Sequence, residues 1–377
     1  MAKTSYVPSP AKIKVVGLGG AGCNAITRMV RENIRGVEFL AMNTDAQHLE
    51  ITEAPVRIQL GERCTRGLGA GGDHHVGAKA AEESREELKQ AMAGADMVFI
   101  TVGMGGGTGT GSAPIVADLA KSSGALTIAV VTKPFTFEGT HRMQVAEEGI
   151  TALMNKVDTL IIVPNDRLLE LCDNKTGVDG AFKAADEILC NAVQAIAEVI
   201  TVPGMINLDF ADVRTIMKDA GPAWMSIGRG SGSNRAETAA KEALNSPLLD
   251  VSIEGAKGVL FNVTGGTTLS LFEVQSAAAV IHQSVDPDAN IIFGVKLDPN
   301  MGNDVKLTLI ATGFATKESL IGSARDKAMT KTLLQMRKSE EELSVPSFMR
   351  QPRVIFGRRQ PTPTARPAAP AYKPPVR

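Results

Sequence analysis

The stretch Gly103-Met104-Gly105-Gly106-Gly107-Thr108-Gly109-Thr110-Gly111 follows an apolar segment, 96–102, and precedes a segment of helical character that begins near Pro114. Six of its nine residues are glycine. Ordering so many glycines costs conformational entropy, and close approach of the backbone to a ligand explains why the chain has them here. The stretch lacks the lysine of a P-loop, so backbone amides, the Thr108 and Thr110 hydroxyls and a bound Mg²⁺ would have to offset phosphate charge. The pattern predicts a phosphate-binding loop between a strand and a helix.

A second glycine-rich stretch, Gly17-Leu18-Gly19-Gly20-Ala21-Gly22, satisfies the pattern G-x-G-x-x-G between an expected strand, 12–17, and an expected helix, 24–32. In that context the pattern typically rests phosphates on the N–H groups that begin the helix. Asp45 lies just after the next expected strand, 37–42, where dinucleotide-binding folds carry the acid that binds ribose. A tight turn without a ligand is the simpler alternative.

A third run, Gly67-Leu68-Gly69-Ala70-Gly71-Gly72, predicts another loop on the phosphate side. The rival class is an NAD-dependent oxidoreductase, which needs one glycine fingerprint and a catalytic histidine or lysine in a substrate domain. Three glycine loops count against that class.

Apolar segments alternate with helical periodicity through the first half of the chain. The expected strands lie at 12–17, 37–42, 96–102, 126–132 and 159–163, and the expected helices at 24–32, 78–91 and 114–122. Strands that alternate with helices form a mostly parallel sheet, whose ligands bind at the carboxyl ends of the strands. The glycine stretches stand at those ends.

The second half of the chain has a different pattern. A buried helical stripe predicts one long helix over 178–201, which Pro203 and Gly204 end. Beyond Gly221 the expected strands lie at 258–263, 291–297 and 305–312, and the expected helices at 234–244 and 269–284. The predicted fold class is therefore α/β, with a Rossmann-like, mostly parallel sheet, a long central helix and a smaller α+β C-terminal domain.

Composition narrows the function classes. Hydrophobic residues make up 44% of the 377 residues and aromatic residues only 4%, which fits a globular core and disfavours aromatic platforms for single-stranded nucleic acid. The sequence predicts no membrane span and no secretory signal, and its four cysteines form no C-x-x-C pair. Residues 346–377 carry seven basic residues, no acid and eight of the nineteen prolines. The body is therefore acidic, nucleic acid is not an expected partner, and the protein is expected in the cytoplasm.

Several motifs occur around the central loop in a fixed order. GLGGAGCNA (17–25), NTD (43–45), GLGAGG (67–72), GGGTGTG (105–111), VTKPFTFEG (131–139) and NLDFADV (207–213) follow one another along the chain. Together they resemble the tubulin/FtsZ superfamily, in the order found in its FtsZ branch of cell-division GTPases. The resemblance runs from about Lys12 to Phe314. It implies a GTPase that binds GTP and GDP with Mg²⁺, polymerises head to tail and forms the division ring at mid-cell.

The resemblance and the composition together predict how the chain is divided. The expected parts are a disordered N-terminal tail (1–11), a GTP-binding domain (12–177), the central helix (178–201), a catalytic loop with the helix after it (202–221), a C-terminal activation domain (222–315), a short, helical linker (316–342), and a partner-binding peptide with a basic, proline-rich tail (343–377).

The resemblance also assigns a nucleotide site. The residues implied are Gly19, Gly20, Ala21, Gly22, Cys23 and Asn24 for phosphates and nucleoside; Ala70, Gly71 and Gly72 for the γ-phosphate; Met104, Gly105, Gly106, Gly107, Thr108, Gly109 and Thr110 for the diphosphate; Thr132, Pro134, Glu138 and Arg142 around ribose and phosphate; and Asn165, Phe182 and Asp186 for guanine. A carboxylate at Asp186 would accept hydrogen bonds from the donor edge that guanine has and adenine lacks. An ordinary acid near a helix start is the alternative.

Asn207, Asp209 and Asp212 follow the long helix. By themselves they indicate a helix start, with Asp209 as N-cap and Asp212 in the first turn. The resemblance implies that they position Mg²⁺ and the attacking water. Because Asp186 and Thr201 are separated by about 23 Å of helix, these carboxylates are expected to serve the nucleotide of a neighbouring subunit. Such a contact does not close and yields open filaments; a filament protein without catalysis is the remaining alternative.

Three further features carry expectations. His74 and His75 lie in a loop and are expected to be solvated rather than to bind a metal, and Mg²⁺ is expected on the GTP phosphates without a dedicated protein cage. Cys23, in the first phosphate loop, is a candidate for alkylation.

The segment 342–350 resembles the peptide through which this family docks on membrane-tethering division proteins of the FtsA, ZipA or SepF kind. The protein is therefore expected to contact the membrane only indirectly. The contact residues implied are Val345, Pro346, Phe348, Met349 and Arg350.

Overall fold

Ten strands form one sheet in the part of the chain that the structure, a computed structural model, describes: residues 11–170, 177–201, 209–249, 253 and 255–314. The strands are β1 (Ile13–Leu18), β2 (Val37–Asn43), β3 (Val56–Gln59), β4 (Met97–Gly103), β5 (Leu126–Lys133), β6 (Thr159–Pro164), β7 (Gly221–Gly230), β8 (Gly258–Gly265), β9 (Asn290–Leu297) and β10 (Val305–Thr312). Their spatial order is β3-β2-β1-β4-β5-β6-β7-β10-β8-β9.

Twelve α-helices accompany these strands within the described ranges. They are α1 (Gly19–Arg31), α2 (Ala46–Ile51), α3 (Glu62–Thr65), α4 (His74–Glu83), α5 (Arg85–Met92), α6 (Thr108–Ser122), α7 (Thr140–Met154), α8 (Asn165–Leu169), α9 (Val178–Thr201), α10 (Phe210–Met217), α11 (Arg235–Leu244) and α12 (Leu271–His282). Within these same ranges, no helix combines the length and the apolar character needed to cross a membrane.

The strands from β3 to β7 run parallel, so their carboxyl ends meet along one side, here called the carboxyl edge. Leu18 at the end of β1 pairs with Met42 of β2 and Val102 of β4. The strand order reverses between β1 and β4, which in open α/β sheets is where ligands bind. The predicted α/β class with a mostly parallel sheet is confirmed.

Apolar packing covers both faces of the parallel strands. One face packs α1, α9 and α10, with Val15, Met29 and Ile196 in its core. The opposite face packs α4 to α7, with Val16 and Val116 in its core. A third cluster lies between α11, α12 and strands β8 to β10. Strands covered on both faces have nearly continuous apolar sequences, as β4 and most of β5 do here.

The long helix α9 crosses from the carboxyl edge to the opposite, amino edge of the sheet. Its last residue, Thr201, donates from Oγ1 to the carbonyl of Arg35 at 3.0 Å, just before β2 begins. Helix α10 ends against the same edge, where Thr159 Oγ1 at the start of β6 donates to the Met217 carbonyl at 2.5 Å.

Several sequence expectations about elements were wrong. Helix α6 begins at Thr108 rather than near Pro114, so Pro114 lies inside the helix, where it has no N–H to donate to the carbonyl four residues earlier. Helix α1 begins at Gly19 rather than 24. The expected helix 78–91 is two helices, α4 and α5, which meet at Ser84. The pattern also missed β3, β7 and α7.

Some expectations fall outside the described residues. They concern residues 1–10, 202–208 and 315–377, with the tail, linker and peptide expected there. The domain boundaries stay a prediction.

Candidate nucleotide site

Two helices begin inside the glycine stretches. Helix α1 starts at Gly19 and α6 at Thr108, and their N-cap residues, Leu18 and Gly107, have no side-chain oxygen that could accept a hydrogen bond from the first turn. Neither helix has an acid in its first turn. The first N–H groups of both helices, and the positive ends of their dipoles, are therefore available for an anion. Two such ends at one edge suit a diphosphate or triphosphate.

A cavity at the carboxyl edge lies between these helix starts and α9. Fifteen of the sequence-assigned nucleotide residues line it: Gly19, Gly20, Ala21, Met104, Gly106, Gly107, Thr108, Gly109, Thr132, Pro134, Glu138, Arg142, Asn165, Phe182 and Asp186. The remaining assigned residues do not line it: Gly22, Cys23, Asn24, Ala70, Gly71, Gly72, Gly105 and Thr110.

Residues of this second group support the loops in other ways. A Cβ on Gly22 would lie 2.6 Å from the Thr101 carbonyl, so this glycine lets α1 pack on β4. Thr110 Oγ1 accepts the Gly105 N–H at 2.9 Å, which fixes the phosphate loop from beneath. Ala70 lies against Gly107, since a Cβ on Gly107 would be 2.8 Å from the Ala70 Cβ.

The expectation that Cys23 is a candidate for alkylation is wrong. Its side chain is completely buried and lies against the Met42 carbonyl. Burial raises the pKa of its thiol to about 12, so the thiolate that reacts is absent near neutral pH.

The far end of the cavity presents two acceptors. Asn165, the first residue of α8, is 5% exposed, and its Oδ1 is one of three buried side-chain oxygens without a partner among the described residues. Buried polar atoms normally have partners, so an orphaned acceptor facing a cavity indicates a missing donor. Asp186 on α9 faces the same space. Guanine offers adjacent N–H donors at its N1 and N2 positions, whereas adenine offers an acceptor at N1.

Burial raises the pKa of Asp186 to about 7, and the charge of nearby Arg28 opposes the rise. Arg28 forms its ion pairs with Glu32 and Glu187, at 3.0 and 3.1 Å, rather than with Asp186. Asp186 therefore has no direct partner among the residues that the structure describes, and such a carboxylate in a cavity is a candidate for ligand binding. The alternative of an ordinary surface acid does not fit this burial.

Aromatic side chains form one wall beside these acceptors. Phe182 lines the cavity, is 40% exposed and meets the buried Phe135 edge to face at 5.5 Å between ring centroids. Glu138 is held by the Phe135 N–H at 2.8 Å and by Arg142 at 2.6 Å. The aromatic face can stack on a base, and Arg142 supplies a cation at the cavity.

The residue-by-residue assignment left out four lining residues, Leu18, Gly103, Ala185 and Leu189, although Leu18 and Gly103 belong to the glycine stretches that predicted the phosphate loops. Leu18 and Gly103 end strands β1 and β4, so the rule that ligands bind at carboxyl ends could have found them. Ala185 and Leu189 lie three and seven residues after Phe182 on α9, at spacings that share one helix face. Helical periodicity from Phe182 could have found this second pair.

The assigned catalytic residues lie elsewhere. Asp209 is the N-cap of α10, where its side chain accepts the Ala211 N–H, and Asp212 is in the first turn. Both residues are exposed. They confirm the plain prediction of a helix start, and neither lines the cavity. Asn207 lies outside the described residues.

Comparisons with known proteins agree with this geometry. A model of the GTPase domain of the tubulin/FtsZ family matches residues 12–173, and a model of the C-terminal domain of the FtsZ family matches residues 221–315. An empty FtsZ dimer from M. jannaschii is 50% identical, with 81% of this chain and 89% of that chain covered and a TM-score of 0.79.

A more distant structure, a protofilament of CetZ2 from Haloferax volcanii with GTPγS bound, is 21% identical. It covers 85% of this chain and 99% of that chain at a TM-score of 0.68, and this likeness concerns the fold alone. The two family models and the relative at 50% identity establish that the chain belongs to the FtsZ family of tubulin-like GTPases.

Proposed function

We propose that this protein assembles head to tail with copies of itself and hydrolyses GTP at the interface between two subunits. One observation carries the proposal: the cavity is at the carboxyl edge, whereas Asp209 and Asp212 begin a helix that ends at the amino edge. The rise of α9 from Asp186 to Thr201 is about 23 Å. These carboxylates therefore cannot reach the subunit's own nucleotide, and a stacked neighbour would receive them.

Exposed apolar side chains support a contact surface at the carboxyl edge. Leu68, in the third glycine loop, is 83% exposed, and Phe137, next to Glu138, is 59% exposed. Large apolar side chains at the rim of a site favour a protein partner over solvent. A second copy that covers this edge would bury them and bring its own α10 to the nucleotide.

The chemistry required is in-line attack of water on the γ-phosphate, which depends mainly on positioning and charge stabilisation. The N–H groups that begin α1 and α6 would hold the phosphates, and Arg142 is the one cationic side chain among the described residues that line the cavity. Mg²⁺ would supply the remaining positive charge, held by phosphate oxygens and the Thr108 hydroxyl. Asp209 and Asp212 of the neighbour, with Asn207, would orient the water.

At the base end, Asn165 and Asp186 would accept from the donor edge of guanine while Phe182 stacks on the ring. ATP should then bind poorly, because adenine would set its N1 acceptor against these acceptors and leave them unpaired. Comparable affinity for ATP, or tight binding of NAD, in equilibrium dialysis would contradict this assignment and revive the oxidoreductase alternative.

Guanine binding should depend on pH through Asp186. Because its pKa is raised to about 7 and the ionised form accepts from guanine, a proton competes with the nucleotide at lower pH. The affinity for GDP should fall by up to about tenfold per unit below pH 7. Calorimetry at a series of pH values measures this affinity, and Asp186→Asn is the control. Titration of the GDP phosphates affects both proteins equally, whereas only the wild type has a titrating side chain at position 186. If the GDP affinities of the two proteins change with pH in the same way, the carboxylate does not have this role.

The shared site predicts cooperative turnover. The GTPase rate per molecule should rise with protein concentration and approach a plateau once filaments dominate, because each active site needs two subunits. A phosphate-release assay over a dilution series, with light scattering in parallel, measures both quantities. A constant rate per molecule down to dilutions without assembly would contradict the shared site, and filaments without hydrolysis would favour the catalytically silent alternative.

In the cell, we propose a cytoplasmic filament that forms the division ring at mid-cell. We also propose that residues 343–377 contain a peptide, centred on Val345 to Arg350, that docks on membrane-tethering partners of the FtsA, ZipA or SepF kind. Family membership supports the first proposal, and the sequence of the peptide supports the second.

A further inference from the structure

The first turn of α4 brings three metal-ligating side chains together. Asp73, His74 and His75 each offer a ligand atom, and these atoms lie within 4.8 Å of one another. The two imidazole rings have their centroids 4.1 Å apart. Among the residues that the structure describes, this is the one such group of three or more His, Cys, Asp or Glu side chains.

The backbone fixes this arrangement. Asp73 is the N-cap of α4, and its Oδ1 accepts the His75 N–H at 2.8 Å, which leaves its other carboxylate oxygen free to ligate. A fourth group approaches from another helix, since Glu148 of α7 lies 3.8 Å from Nε2 of His74. The His74 side chain is 24% exposed, so it is only partly solvated, and both histidines lie in the first turn of α4 rather than in a loop.

We propose that Asp73, His74 and His75 bind a divalent transition-metal ion of the zinc kind, with Glu148 or water as the fourth ligand. Two imidazoles and one or two carboxylates are donors that zinc accepts, whereas magnesium prefers oxygen ligands alone. Zinc-to-ligand distances near 2.1 Å place tetrahedral ligand atoms about 3.4 Å apart. Small rotations of the exposed Asp73 and His75 side chains and of the partly buried His74 side chain would bring the observed separations to that value.

The proposed site adjoins the phosphate loop. A Cβ on Gly107 would lie 2.9 Å from the backbone N and O of Asp73, and a Cβ on Gly111 would lie 2.0 Å from the His74 carbonyl. An ion that ties α4 to α7 would therefore restrain the turn packed against this loop. We expect it to change the rate of GTP turnover, and this consequence rests on the proposed function, whereas metal binding itself does not.

Cobalt binding to the full chain tests the site directly. Titration with Co²⁺, in excess Mg²⁺ and with GDP bound, should give one visible-absorbing tetrahedral Co²⁺ per chain, which Zn²⁺ displaces. Loss of an outer-shell partner already weakens metal sites by 10–100-fold, so His75→Gln should weaken Co²⁺ binding at least about tenfold. Asp73→Asn, which keeps the N-cap acceptor, should also weaken it. His282→Gln, an exposed histidine at the end of α12, should leave it unchanged.

No saturable Co²⁺ binding, or equal binding to wild type and His75→Gln, would overturn the site. Circular dichroism and GDP affinity of each variant show whether a loss reflects the missing ligand or a disturbed fold. If Co²⁺ binds as expected while Zn²⁺ leaves GTP turnover unchanged, the site stands and its coupling to the phosphate loop is wrong.

Discussion

Asp212→Ala should bind GTP as the wild-type monomer does and hydrolyse it about 100-fold more slowly or worse. The carboxylate is exposed in the first turn of α10 and does not line the nucleotide cavity, so monomer affinity has no reason to change. Positioning the attacking water acts mainly in the transition state, and removing such a group typically costs about 10²–10⁴ in rate. Equilibrium dialysis below the assembly threshold and a phosphate-release assay above it separate the two effects. Filaments of the variant should persist longer in GTP.

A matched control separates catalysis from helix stability. Glu86 is an exposed acid in the first turn of α5, which has eight residues like α10. Loss of either first-turn acid should cost about 0.3–1 kcal/mol of folding stability through the helix dipole. Glu86→Ala should therefore match Asp212→Ala in thermal unfolding and retain full GTPase activity. Equal loss of activity in both would remove the special role of Asp212.

Mixing two inactive variants tests which subunit supplies the carboxylate. A Gly107→Ser subunit lacks a working phosphate loop but still offers Asp212 to the GTP of an Asp212→Ala neighbour. GTPase activity should therefore return in the mixture. Its upper limit is the fraction of interfaces in which a Gly107→Ser subunit presents Asp212 to the GTP of an Asp212→Ala subunit. Cosedimentation of the two proteins establishes that mixed filaments form. Mixed filaments without activity would show that the carboxylates do not act across the interface.

The sequence predicted the sheet and the phosphate loops because these depend on local patterns. Apolar segments covered on both faces, such as β4, stand out from their flanks, and clustered glycines follow them. The starts of α1 and α6 were placed too late for a related reason. Glycine and threonine are poor helix formers, and the usual capping residues are missing where a ligand is to occupy the helix end.

Other parts of the site depend on tertiary structure and could not be read from local patterns. Asp186 looks like any helix acid until α9 is packed against the sheet, which partly buries it and leaves it without a direct partner among the described residues. The orphaned acceptor of Asn165 exists only because β6 ends at the cavity. The resemblance to a known family assigned both residues to the site. Their burial and their unused acceptor atoms give the physical reason why they can bind a base.

Gly107→Ser should abolish nucleotide binding and, with it, all GTPase activity. A Cβ at this position would lie 2.8 Å from the Ala70 Cβ and 2.9 Å from the backbone N and O of Asp73. Such contacts are not tolerated, so the phosphate loop and the 70–73 loop must move apart. A misplacement of about 1 Å in a positioning element can cost about 100-fold. GTP should therefore neither be retained in dialysis nor raise the melting temperature.

Two other glycines distinguish the possible causes of that loss. Gly177, just before α9, has no atom of the described residues within 4 Å of an added Cβ, so Gly177→Ala should bind GTP normally and control for the change of residue type. Gly106 also has open space at its Cβ, but that space is the cavity itself. Gly106→Ala should therefore keep the wild-type melting temperature without nucleotide and still bind GTP weakly, because its methyl group occupies the place of a phosphate. Normal GTP affinity in Gly106→Ala would mean that the phosphates do not approach this part of the backbone. Phosphate binding would then have to be assigned to the N–H groups at the start of α1 instead.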